Sequence, residues 1–249
     1  MKKLTGSFIL SGMVFLSAAA QNGNVGIGTT FPIARLHVAD SNVLFTGPNN
    51  PDAATLYNPP IQGPGARVMW YPQKAAFRAG LAYGLQWDKD SIGVLSIGLG
   101  NSTKAKGESS FASGAGTNAT GDRSTAMGDF TTASGPGSFS VGASTKATGR
   151  NAISMGYGNN ASGDFSFASG TTNNATGFAS IVFGQQSSST SNTSIAMGVT
   201  ATATGFVSIA IGQAVTASGQ SAVAIGAGNR AFAPYALALG YNSIADANY

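Results

Sequence analysis

The chain has no cysteine, one histidine and only 9% charged residues in its 249 positions. Without cysteine there are no disulfides, the usual staple of small exported domains, so an exported form must be stabilised by some other contact. The single histidine, His37, is the one candidate for a Ser-His-Asp or Cys-His system, and it lies in an extended Leu36-His37-Val38 run that reads as ordinary strand. The acids Asp40, Asp52, Asp88, Asp90, Glu108, Asp122, Asp129, Asp164 and Asp246 form no recurring pair suited to acid/base or glycosidase work. Asp88 and Asp90 come nearest to a calcium site but have no further oxygen ligands close by in sequence. The glycine-rich turns lack the G-x-x-x-x-G-K-[ST] order that cradles phosphate. No catalytic residue, metal ligand or cofactor is expected, and the chain is not read as an enzyme.

Charges of both signs are scarce as well. Lys2 and Lys3 head a mainly apolar run from Leu4 to Leu16 that ends in Ala18-Ala19-Ala20, the pattern of a secretory signal peptide over residues 1–20. The run is too short and too interrupted by Gly6, Ser7, Ser11 and Gly12 for the ~20 residues of a spanning helix. The mature chain is expected to start at Gln21, with no membrane span and with 11 basic against 9 acidic residues. Scattered bases of that number give no phosphate track, and nucleic acid is not expected as a partner.

What the chain does have is glycine, alanine, serine, threonine and asparagine, a composition shared by disordered linkers and repetitive β folds. Periodicity separates the two. Gly100, Gly114, Gly128, Gly142, Gly156, Gly170, Gly184, Gly198, Gly212, Gly226 and Gly240 follow one another at intervals of fourteen. A second register runs Gly107, Gly121, Gly135, Gly149, Gly163, Gly177, Gly205 and Gly219, with Ser191, Ala233 and Ala247 in its other places. A chance origin has a probability on the order of 10⁻⁹, so residues 100–249 are an array of structural units.

Each first-register glycine follows an alternating run such as Ser208-Ile209-Ala210-Ile211-Gly212, and each second-register glycine follows one such as Thr145-Lys146-Ala147-Thr148-Gly149. Period two means strand. Two strands of about five residues and two turns of about two make one coil, and stacked coils form a parallel β-roll ~50 Å long. The first-register glycines from Gly114 to Gly240 are read as turn residues, needed where the coil reverses or where backbones approach closely. Residues 21–99, aperiodic from residue 38 and holding both tryptophans, read as a small β-rich cap whose core draws on Met69, Trp70, Tyr71, Phe77, Tyr83 and Trp87.

On the second strand Lys104, Asn118, Thr132, Lys146, Asn160 and their successors must face water, so Ala105, Ala119, Ala133, Ala147, Ala161, Ala175, Ala203 and Ala217 point inward. A narrow interior is best matched on the first strand by Ala112, Ala126, Ser140, Ser154, Ala168, Ala196, Ala210 and Ala224. The large residues then face out, among them Ile153, Ile181, Ile195, Met197, Ile209, Ile211, Val223, Ile225, Leu237 and Leu239. Such a stripe exceeds the few hundred Å² of apolar patch that a monomer exposes, and closed association of identical rolls through these residues is the expected remedy. The alternative is a monomer with the large residues inside and a fatter core.

The order S-x-A-x-G followed by a small-residue turn, as in Gly219-Gln220-Ser221-Ala222-Val223-Ala224-Ile225-Gly226, closely resembles the head repeats of YadA-type trimeric autotransporter adhesins. The resemblance implies a left-handed parallel β-roll, a homotrimer, and a surface that binds host matrix or other cells at the outside of a Gram-negative bacterium. Asn24-Val25-Gly26-Ile27-Gly28-Thr29-Thr30-Phe31-Pro32, with Ala34-Arg35-Leu36-His37-Val38, is similar to the opening of exported tail-fibre-like proteins. No coiled-coil stalk, barrel anchor or chaperone domain is read before Tyr249, which leads to the expectation of a fragment, a truncated product or a released protein. Two other roles use the same repeats. A fibre-like spacer needs only the rod, and an ice-binding solenoid needs a threonine file such as Thr103, Thr117, Thr131 and Thr145, which continues as Asn159, Asn173 and Ser187.

Overall fold

The computed structural model describes residues 25–246 apart from 30, 41, 53, 55 and 56. The signal-peptide reading of residues 1–20 lies outside the described residues. The chain divides into a unit ending at Thr46 and a unit from Gly47 onward. In the first, β1 (Val25–Ile27) and β2 (Leu36–Val38) pair in parallel, with Gly26 opposite His37. His37 Nδ1 accepts the Ile33 N–H at 3.4 Å, so the one imidazole closes a local loop.

Among the described residues the second unit is all-β apart from two short 3₁₀ turns, Pro72–Lys74 and Lys89–Ser91. β3 (Gly65–Tyr71) and β4 (Ala76–Ala82) form an antiparallel hairpin, and β4 pairs in parallel with β5 (Ile97–Asn101). From β5 on, strands of five residues alternate with strands of two. Each pairs with its copies fourteen residues before and after, giving a 13-stranded sheet and an 11-stranded sheet. The result is a parallel β-roll of fourteen-residue coils, as the periodicity requires. Ten intervals at ~4.8 Å between Ile97 and Leu237 make it ~48 Å long.

The coil is less symmetric than two equal strands. The second strand is two residues, such as Asn174–Ala175, and the corner after it takes five, residues 176–180. Each coil bends at two left-handed residues, for example Thr172 (φ 53°) and Ala179 (φ 51°). The glycines read as turn residues lie instead inside the long strand, as its fourth residue. Gly170 illustrates why glycine is needed there: its φ is +115°, and a Cβ would overlap the Gly184 carbonyl oxygen of the next coil. The second register has a different reason. Gly163 has no positive φ, but a Cβ on it would overlap the Gly177 carbonyl. Where Ser191 replaces glycine the coils part slightly, the Thr190 N–H reaching Ala203 O at 3.1 Å against 2.9 Å for Thr176 and Thr204 in the same file.

The interior is narrow and filled by small side chains. Ala105, Ala119, Ala133, Ala147, Ala161, Ala175, Ala203 and Ala217 are fully buried, and so are Ala112, Ala126, Ser140, Ser154, Ala168, Ala196, Ala210 and Ala224. The large residues of the long strand point outward, which removes the fat-core monomer. The threonine file is also inside: Thr103, Thr117, Thr131 and Thr145 are fully buried, and Asn159, Asn173 and Ser187 nearly so. That corrects the ice-binding alternative, because this ladder is not at the surface. Asparagine serves the corner well. Asn173 Nδ2 donates to Ser169 O (2.8 Å) and Gly184 O (2.6 Å), and its Oδ1 accepts the Ser187 N–H (2.9 Å).

The β3–β4 hairpin closes the first coil with an arginine. Arg78 pairs with Gly98, which pairs with Ala112, so its side chain enters the file that alanine fills elsewhere. A Cβ on Gly98 would crowd the Arg78 side chain, so glycine makes room for it. The fully buried guanidinium donates to the carbonyls of Phe77, Ser96 and Ala105 and to Ser96 Oγ, at 2.8–2.9 Å. Desolvation pushes its pKa down to about 10, so it stays charged at neutral pH. Trp87 Nε1 donates to Thr103 O at 2.8 Å beside it. Met69, Tyr71 and Trp87 are core as expected, whereas Phe77 and Tyr83 are exposed. β4 alternates, and with Ala76 and Arg78 inward Phe77 must face out, opposite Ile97 and in line with Phe111.

Candidate functional site

The long strand presents its first and third residues outward on one face. Ile153, Ile181, Ile195, Ile209 and Val223 occupy the first position and are half-buried by their neighbours above and below. Met197, Ile211, Ile225 and Leu239 occupy the third, where Met197 and Ile225 stay 37–38% exposed. Leu237 and Leu239 at the last long strand are more than half exposed. Parallel in-register pairing puts identical positions one above another, as Ile195 on Ile209 and Met197 on Ile211. Phe167 and Phe183 stack along the same face with ring centroids 4.8 Å apart.

Only Ser113, Thr125 and Ser169 interrupt the two files between Ile97 and Leu239. The apolar surface left open is on the order of 1,000 Å², well above the largest patch on an ordinary monomer. The opposite sheet is unlike it. Lys104, Asn118, Thr132, Lys146 and Arg230 project outward from its two-residue strands, with the buried alanine beside each.

The two edges between the sheets carry exposed aromatics. Tyr157 and Tyr241 end their long strands and Phe130 follows one, while Phe165, Phe178, Phe206 and Tyr235 lie at the corner before the long strand. Phe165 and Phe178 meet edge-on at 5.5 Å.

At the cap end a cleft of about 450 Å³ is lined by Lys74, Asp90, Lys106, Glu108 and Asp122 among others. Lys74 Nζ donates to Lys89 O (2.7 Å) and Ile92 O (2.8 Å), so the amine is committed to the backbone, and desolvation lowers its pKa. Asp88 is committed as well, since its Oδ1 accepts the Gly63 N–H at 2.6 Å. Among the described residues no three His, Cys, Asp or Glu side chains group so as to hold a metal ion. None of the described helices is long and apolar enough to cross a membrane.

Stacked fourteen-residue coils with a small-residue interior and one long apolar outward face define a parallel β-solenoid. The family description YadA head domain repeat (2 copies) matches residues 91–117, 119–145, 147–173, 175–201, 190–214 and 217–243. The chain belongs to the YadA head-repeat family, a structural and adhesive class rather than an enzymatic one. The match begins at residue 91, ahead of Gly100, in keeping with the pairing of Ile97–Asn101 into the long sheet. No curated protein matches the chain.

Proposed function

We propose that the protein is an exported adhesin head in which three identical rolls associate along the outward face of the long-strand sheet. Ile153, Ile181, Ile195, Met197, Ile209, Ile211, Val223, Ile225, Leu237 and Leu239 form the contact, and the polar sheet and the two corner edges remain open to a host matrix protein or another cell surface. The reading rests above all on the apolar face, ~48 Å of outward isoleucine, methionine and phenylalanine that one chain leaves uncovered. Burying it in a closed trimer also supplies the stability that disulfides give other exported domains. We take residues 1–20 as the signal peptide, 21–99 as the cap region and 100–249 as the head.

The mass of the purified protein in solution tests the assembly directly, with a trimer expected. Ile209→Asp places an unpaired charge in the contact, which costs several kcal/mol, and the variant should sediment as monomer or aggregate. Thr202→Asp, on the polar sheet, should remain trimeric. A stable wild-type monomer, or an Ile209→Asp trimer as robust as wild type, refutes the arrangement.

A further inference from the structure

The edge of the roll leading from the short strand into the long one changes character along its length. Its first part carries Lys106, Glu108, Asp122, Arg123, Arg150 and Asp164, whereas the five corners at 176–180, 190–194, 204–208, 218–222 and 232–236 hold no charged residue. One file of this neutral stretch reads Phe178, Asn192, Phe206, Gln220, Pro234, an alternation of apolar ring and amide with one member per coil. All five are exposed, Phe178 at 48% and Phe206 at 52%. The rings recur every second coil, at ~9.6 Å.

A second observation comes from the adjoining file. Phe165, Val207 and Tyr235 hold left-handed backbone at φ 59°, 56° and 63°, where Gly137 stands in another coil. This file is left-handed in every coil, and a bulky or β-branched residue is costlier there than the Ser109, Asn151 or Gly137 of other coils. Tyr235, at 73% exposure, gains little packing in return.

We propose that the edge from Phe178 to Tyr235 binds an extended, neutral, β-1,4-linked pyranose chain. In such a chain a disaccharide advances about 10 Å, close to the two-coil repeat of the rings, so every second sugar lies over Phe178, Phe206 or Pro234 with its C–H face. Between them the amides of Asn192 and Gln220 meet ring hydroxyls. Asn192 Oδ1 accepts the Phe178 N–H at 3.2 Å, which leaves its Nδ2 to donate outward. A polyanionic glycan is disfavoured because no Lys or Arg lies in these corners. The inference deepens the adhesin reading, on which it rests, by naming the ligand class of one edge.

The test titrates the whole protein calorimetrically with cello- and chito-oligosaccharides of two, four and six units, and with maltohexaose, whose α-linked chain coils. At least one β-linked series should bind, tightening up to about four units, because Phe178 to Pro234 spans ~19 Å. The double variant Phe178→Ala/Phe206→Ala should weaken binding about tenfold or more, while Phe130→Ala on the other edge leaves it unchanged. No binding of either β-linked series, equal binding of maltohexaose, or an unaffected double variant overturns the proposal. A wild type that is trimeric and adheres to cells yet binds neither β-linked series keeps the adhesin reading and loses this ligand. A monomeric wild type sinks the adhesin reading whatever the titration gives.

Discussion

Gly170→Ala concentrates most of what holds the roll at one atom. The new methyl would sit at φ +115° and overlap the Gly184 carbonyl oxygen. The backbone conformation alone costs about 1–3 kcal/mol for an L side chain. Restoring ordinary contact requires the two coils to part by roughly 1.5 Å against a spacing of ~4.8 Å. The Gly184 oxygen also accepts Asn173 Nδ2 at 2.6 Å, so parting the coils loosens a buried hydrogen bond worth ~1–3 kcal/mol. The stiffer unfolded chain of alanine returns roughly 0.5–1 kcal/mol, leaving a net loss of about 1–5 kcal/mol. Against a typical total of ~5–15 kcal/mol that is a large effect. Gly158→Ala is the comparison: its φ is +62°, but a Cβ would come only to 3.3 Å from a flexible Thr172 methyl. It should cost about 1 kcal/mol or less. Urea unfolding followed by circular dichroism, at one fixed protein concentration, separates them. If Gly170→Ala costs no more than Gly158→Ala, stacked carbonyls are not what demands glycine in the long strand.

Thr131→Val should raise the midpoint of thermal unfolding, by about 1–2 kcal/mol in stability, because Thr131 Oγ1 is buried without a partner and Val215 already occupies the same file fully buried. A drop in the midpoint would mean that the hydroxyl is bonded. Arg78→Ala should cost about 3–5 kcal/mol, since it empties the first coil and strips donors from three carbonyls and Ser96 Oγ. Hydrogen exchange should show the loss of protection starting at Ile97–Asn101 rather than at the far coils; uniform loss along the roll refutes the role of Arg78 as an end plug.

The alanine interior was legible because two independent strands had to share one narrow space. Lysine and asparagine fixed the outward side of one strand, and side-chain size then fixed the other. The threonine file misled because hydroxyls look like surface, yet Val215 and Ala201 stand in that file with Asn159 and Asn173, and a mixture of aliphatic and amide marks a buried polar corner. Arg78 was missed for a similar reason: a charged residue in a strand reads as solvent-facing. Its signal was Gly98, a glycine in a file that alanine, serine and Val182 otherwise fill. The lengths of the corners could not be read, since glycine in the fourth place of a strand and glycine in a turn leave the same period. Nothing in the repeat says which surface a partner covers, and so the contact between chains rests on the size of the outward residues alone.

In-register pairing has a consequence for how such a head can vary. Because every file recurs at fourteen residues, removal or duplication of one whole coil leaves each alanine above an alanine and each stacked glycine above a glycine, except next to singular positions such as Arg78 and Ser191. A change of any other length shifts all later residues to the wrong place on the coil, so the rod should grow and shrink only in steps of ~4.8 Å. In the proposed trimer, chains with different coil numbers would then meet out of step along their outward faces, and heads would sort by length.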